Sequence, residues 1–78
     1  MFLTDTLAVE SSALATVAYD HQREVLQVEF PDGDVYQYFG VPLQTYQNLL
    51  RADSKGTYFN RQVRNSFPYA ILGAAASG

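Results

Sequence analysis

The chain has 78 residues, of which 47% are hydrophobic and 14% aromatic, and a net charge of −3. That is the size of one small domain, which buries only about 60% of its unfolded surface and has modest stability. With no cysteine, a disulfide framework, thiolate chemistry and a zinc–cysteine site are excluded, and no apolar run reaches the length of a membrane span.

In chain order, residues 1–11 read as a loose lead-in. Met1 to Leu7 lacks the basic region and continuous apolar run of a secretion signal, so an intracellular, cytoplasmic protein is expected. Ser11-Ser12 is a turn-like pair. Ala13 to Tyr19 follows as a weak strand whose two faces are both half apolar, which leaves its register open. Polar Asp20 to Glu24 forms a hairpin loop into a second strand, Val25 to Phe30, and Asp34 to Phe39 makes a third.

Phe30-Pro31-Asp32-Gly33 carries the chemistry of a type I turn followed by a left-handed glycine. Proline presets φ, aspartate suits the next position, and glycine takes positive φ without steric cost. The result is a three-residue hairpin loop with a glycine bulge, which sets Phe30 opposite Asp34. Leu26, Val28 and Phe30 then share a face with Asp34, Tyr36 and Tyr38. The other face holds Val25, Gln27, Glu29, Val35, Gln37 and Phe39. A two-residue loop would exchange the faces; the longer loop yields one nearly apolar face and one mixed face. Tyr36 and Tyr38 are therefore expected at the core, as structural residues with their hydroxyls near its rim.

Gly40 ends the third strand, and Pro42 fits the first turn of a helix. Leu43, Tyr46 and Leu50, with Leu49 alongside, make one helical stripe, while Gln44, Gln47, Asn48 and Arg51 take the outer face. Ser54 is a natural N-cap for a second helix. Tyr58, Phe59 and Val63 are its buried positions, with Arg61 and Arg64 outward. Gly56 weakens that helix by about 1 kcal/mol relative to alanine. The helix stops ahead of Phe67-Pro68. Tyr69, Ile71 and Leu72 are expected to fold back onto the core, and residues 73–78 to form a disordered tail. The fold class is α+β: a three-stranded antiparallel meander followed by two helices packed on one face, a single domain over residues 12–72.

Charge is uneven along the chain. Residues 1–50 hold seven carboxylates against Arg23, a balance of −6; residues 51–78 hold Arg51, Lys55, Arg61 and Arg64 against Asp53, a balance of +3. Such asymmetry fits a charged partner, and it equally fits a solvated helical hairpin.

The residues offer no catalytic constellation, and the chain is read as non-enzymatic. His21 stands alone in a loop. Ser54 has no adjacent base, and capping accounts for it. Asp32-Gly33-Asp34 lacks the further oxygens of a calcium loop, and there is no phosphate-binding glycine loop. No metal, cofactor or small-molecule substrate is indicated.

One ordered set of residues does point to a family: Tyr19-Asp20, Leu26-x-Val28-x-Phe30, Gly33, Tyr36-x-Tyr38, Val41-Pro42, Tyr46, Ala52-x-Ser54-x-Gly56, Tyr58-Phe59-Asn60 and Val63-Arg64. Together they resemble the KTSC domain across residues 12 to about 69. That family is named from the C-terminus of some lysyl-tRNA synthetases and also occurs as a stand-alone small bacterial protein. The resemblance implies RNA binding through the synthetase fusion, and little other chemistry.

Two binding modes follow. One is RNA binding through Arg51, Lys55, Arg61 and Arg64, with Tyr58 or Tyr46 as a stacking surface. The acidic overall balance, pI about 4.7, argues against a sequence-independent polyanion binder. The other is a protein-interaction module using Val25, Val35 and Phe39 on the outer sheet face, or the third strand as an open edge.

Overall fold

The turn residues dictate the centre of the structure. In this computed structural model, which describes residues 5–8 and 14–73, the Phe30 amide donates to the Asp34 carbonyl at 2.8 Å and the Gly33 amide to the Phe30 carbonyl at 2.9 Å. Gly33 takes φ +97°, the left-handed conformation that only glycine adopts at little cost. The Asp32 carboxylate accepts from the Asp34 amide at 3.0 Å. This is the three-residue loop with its glycine, and it carries the expected register: Glu29 pairs with Val35, Val28 with Tyr36, and Leu26 with Tyr38.

The elements in order are β1 (Asp5–Ala8), β2 (Thr16–Asp20), β3 (Val25–Glu29), β4 (Val35–Phe39), α1 (Leu43–Arg51), α2 (Lys55–Gln62) and β5 (Tyr69–Gly73). The α+β class holds, but the meander has five antiparallel strands in the order β1-β2-β3-β4-β5 and not three. Asp5–Ala8, read as loose lead-in, pairs along β2 from Asp5↔Tyr19 to Ala8↔Thr16; no turn chemistry marks its ends. At the other end, β5 returns after the helices and pairs with β4. The third predicted strand is therefore not an open edge. Gly73, assigned to the tail, ends β5; the rest of that tail, 74–78, lies outside the described residues. The first predicted strand shifts from Ala13–Tyr19 to Thr16–Asp20, because Leu14 leaves the ladder to enter the core, where it is 1% exposed.

Directly paired residues share a sheet face. One row runs Tyr19, Leu26, Tyr38, Tyr69 and the next Val17, Val28, Tyr36, Ile71. The first three residues of each row face the helices, and all but the half-buried Tyr36 are fully buried. They meet Tyr46 and Leu49 of α1, Phe59 of α2, and the flanking Leu14, Val41 and Val63 in one core. Leu43, assigned to the α1 stripe, is exposed; it sits in the first turn, beyond the edge of the sheet contact made by Tyr46 and Leu49. The opposite sheet face is tied by polar pairs, Gln37 Nε2 to Gln27 Oε1 at 3.0 Å and Thr16 Oγ1 to Glu29 Oε1 at 3.1 Å. Val25, expected open on that face, is buried.

Gly40, at φ +73°, turns the chain out of β4. The Val41 amide then donates to the Glu24 carbonyl at 2.8 Å, and the Val41 carbonyl accepts from the Tyr19 hydroxyl at 2.6 Å in the core. The Tyr19 ring stacks on Tyr46, centroids 4.8 Å apart, so one tyrosine fixes both the linker and α1. Pro42 precedes α1 in an extended conformation. Ser54 caps α2 by accepting from the Thr57 amide at 3.3 Å. No helix among the described residues is long and apolar enough to cross a membrane.

Three stability outcomes follow, all read from urea unfolding midpoints. Tyr38→Ala is expected to cost about 3 kcal/mol or more, the range for emptying a large aromatic site. His21→Ala, at the exposed hairpin loop with its ring against Tyr19 at 5.0 Å, should cost no more than about 1 kcal/mol. Tyr19→Phe keeps the stacked ring but strands the buried Val41 carbonyl, at about 1–3 kcal/mol.

Candidate functional site

The two helices cover β2, β3 and the near side of β4. They do not reach β5, where every side chain is exposed. The helix-facing side of the β4–β5 pair is consequently open, and a cleft of about 220 Å³ lies there against α2. Phe30, Asp34, Tyr36 and Tyr38 of the β3–β4 hairpin line it on one side, and Phe59, Asn60 and Arg64 on the other.

Each lining residue is placed by a local rule. Tyr36 and Tyr38 are two apart on β4 and so share a face; their rings are 6.3 Å apart and within 14° of parallel. Tyr69, paired with Tyr38, extends the platform, 5.6 Å from each of them. Phe59 and Phe30 stand edge-on to this floor: Phe59 meets Tyr38 at 5.3 Å and 80°, and Phe30 meets Tyr36 at 5.4 Å and 89°. Phe59 of α2 and Val63, the residue that caps its C-terminus, are both buried in the core, and the next residue after each, Asn60 and Arg64, lines the cleft. The Arg64 amide donates to the Phe59 carbonyl at 2.9 Å, which holds the residue in the closing turn of the helix.

The electrostatics are mixed. Burial pushes the Tyr38 phenol above its ordinary 10.0, and the nearby Arg64 guanidinium opposes that shift. One cation, one carboxylate and an amide thus edge an aromatic floor. Among the described residues no group of three or more histidine and acidic side chains is placed to hold a metal ion.

The residues expected to bind nucleic acid are not gathered in one place. Arg64 lines the cleft. Arg61 is exposed in the last turn of α2, one residue and about 100° around the helix from Asn60. Arg51 is exposed at the end of α1, where the helix dipole favours a cation. Lys55 Nζ donates to the Ala52 carbonyl at 3.3 Å and so closes the α1–α2 turn. Tyr58 is half-buried against the core, and Tyr46 is buried; neither presents a free face. Sequence reasoning missed Asn60, Asp34 and Phe30. The available signal was the Asn60–Arg64 spacing of four beside the Phe59–Val63 core row.

The KTSC domain model matches residues 10–67. The crystal structure of a KTSC domain protein from Yersinia pestis superposes with a TM-score of 0.83 at 33% identity, covering 88% of this chain and 97% of that one. An uncharacterised protein of Stutzerimonas stutzeri is 44% identical over 70% of this chain and 78% of its own length. A lysine–tRNA ligase of Nostoc punctiforme is 31% identical over 92% of this chain. The matched segment is only 15% of that ligase. Phe30, Tyr36, Tyr38, Phe59, Asn60 and Arg64, all within the resemblance noted in the sequence, converge on the cleft.

The raised Tyr38 phenol has a definite consequence for alkaline stability. A phenol that is harder to ionise when folded loses its proton first from the unfolded chain, so unfolding gains as pH rises. Its contribution is full below pH 10.0 and is lost as pH climbs through the higher folded value. Tyr19, raised chiefly by burial, acts in the same direction. The urea midpoint should therefore drop between about pH 8 and about pH 11. Tyr38→Phe should drop less than wild type over that interval; an equal drop would show that Tyr38 ionises freely in the fold.

Proposed function

The chain belongs to the KTSC domain family, and from that premise we propose that it is a small, non-catalytic, cytoplasmic module that binds single-stranded RNA. The observation that carries this reading is Arg64 at the edge of a tyrosine-floored cleft. Single-strand recognition pairs cations that follow the backbone with aromatic faces on which bases stack. The charge distribution supports the same side of the molecule. The β2–β4 segment carries Asp20, Glu24, Glu29, Asp32 and Asp34 against Arg23, while the helices and the turns that join and close them carry Arg51, Lys55, Arg61 and Arg64 against Asp53. A phosphate chain is repelled from the hairpin loops and drawn to α2. The similarity to a protein named for a tRNA ligase activity fits an RNA partner. The net acidity implies few phosphate contacts and modest affinity.

A second reading rests on β5. Tyr69, Ile71 and Leu72 are each more than half exposed on a strand at the sheet edge, and such an edge can pair with another chain. It would make the domain a protein-interaction module.

RNA titrations of wild type and an Arg61→Ala, Arg64→Ala double variant at several salt concentrations separate the two. Both side chains are exposed, so the fold should survive, and circular dichroism checks it. Each cation on a single strand contributes about 0.7 to the slope of log affinity against log salt. The double variant should bind more weakly with a slope shallower by up to about 1.4. No binding by wild type at low salt would remove the RNA reading and leave β5 ahead.

A further inference from the structure

We propose that the cleft between β4 and the end of α2 receives one unstacked nucleobase, with an adjoining phosphate held by Arg64. This rests on the RNA-binding reading and names what that site holds. At about 220 Å³ the cleft is smaller than the roughly 300 Å³ at which pockets for drug-sized ligands begin, so it suits a single ring system. Tyr38, buried, closes the back of the cleft; the half-buried Tyr36 lines it, with the exposed Tyr69 ring 5.6 Å from Tyr36. A flat heterocycle can stack on the accessible part of these two rings with its edge free. Around that edge stand the Asn60 amide, which both donates and accepts, and the Asp34 carboxylate, which accepts. Bases are read by this mixture of hydrogen bonds on their edges combined with stacking on aromatic rings.

Other occupants fit less well. A bare phosphate or carboxylate would meet Arg64 but also the Asp34 carboxylate and a wall of aromatic edges and faces. An aliphatic side chain would cover the rings and strip water from Asn60 and Arg64 without replacing their hydrogen bonds, which is costly. A base with a phosphate offers ring surface to Tyr36, donors and acceptors to Asn60, and charge to Arg64. The same chemistry is offered by an RNA strand and by a free nucleotide, and the test separates them.

The test follows the backbone amide signals of the nitrogen-15-labelled chain during titration. The probes are the four ribonucleoside monophosphates, ribose 5-phosphate, and a single-stranded RNA hexamer with and without one central base removed. Stacking contributes enough per base that ribose 5-phosphate should bind at least about fivefold more weakly than the best mononucleotide. The nucleotide shifts should centre on Tyr36, Tyr38, Phe59 and Asn60. The intact hexamer should bind more tightly than any mononucleotide and lose at least about fivefold when the base is removed. Asn60→Ala, on an exposed helix position, should leave the spectrum folded and alter the order of preference among bases. Equal binding of ribose 5-phosphate and nucleotides, or a hexamer that binds without shifting the cleft, overturns the proposal while RNA binding stands. Mononucleotides in the cleft with a hexamer no tighter would keep the base site and overturn the RNA reading. Binding by none of the probes overturns both.

Discussion

The register of the β3–β4 hairpin is the constraint on which the rest depends. Two backbone hydrogen bonds across Pro31-Asp32-Gly33, with Gly33 left-handed, pair Leu26 with Tyr38 and Val28 with Tyr36. A slip of β4 by one residue would carry both tyrosines to the outer face and bring Val35, Gln37 and Phe39 against the helices. The core would then lose its two largest β4 rings and face the Gln37 amide, and the aromatic lining of the cleft would disappear. One turn therefore decides both stability and the candidate site.

From that register the tyrosines divide into different tasks by position along the same rows. Tyr19 lies under α1, stacks on Tyr46 and donates to the Val41 carbonyl. Tyr38 lies under α2, packed edge-on by Phe59. Tyr69, the next residue in the row after Tyr38, is past the helices and more than half exposed. The chemistry is the same at each position, and what differs is how far the helical layer reaches. Because that layer is narrower than the five-stranded sheet, an aromatic row that begins as core ends as accessible surface. The cleft lies where the two meet.

Charge follows the same boundary. Acids crowd the hairpin loops and outer strand positions, and cations follow α1 and α2. Arg64 and Asp34 both line the cleft, which gives the opening one cation and one carboxylate. A ligand bearing both an anionic group and neutral donors matches such an edge; a purely anionic one does not. The acidic balance of the whole chain therefore sets the strength of binding expected, and the local arrangement sets the class of ligand.

Much of this was legible in the residues. Pro31-Asp32-Gly33 determines its own turn, because proline, aspartate and glycine each act through local backbone energetics. The alternation around it identifies the buried face, and Ser54 and the Phe59–Val63 spacing place α2. The two outer strands were not legible. Asp5–Ala8 has no turn residues to mark it, and Tyr69–Gly73 is exposed on both faces, so neither shows the alternation that burial imposes on a strand. They are strands because β2 and β4 present unpaired backbone groups to them, which is information held by the sheet and not by the segment. The cleft is of the same kind. Sequence spacing put Asn60 beside Arg64 and Tyr36 beside Tyr38, but only the tertiary packing of α2 on the hairpin set one pair over the other, since contacts between distant segments depend on the relative placement of whole elements.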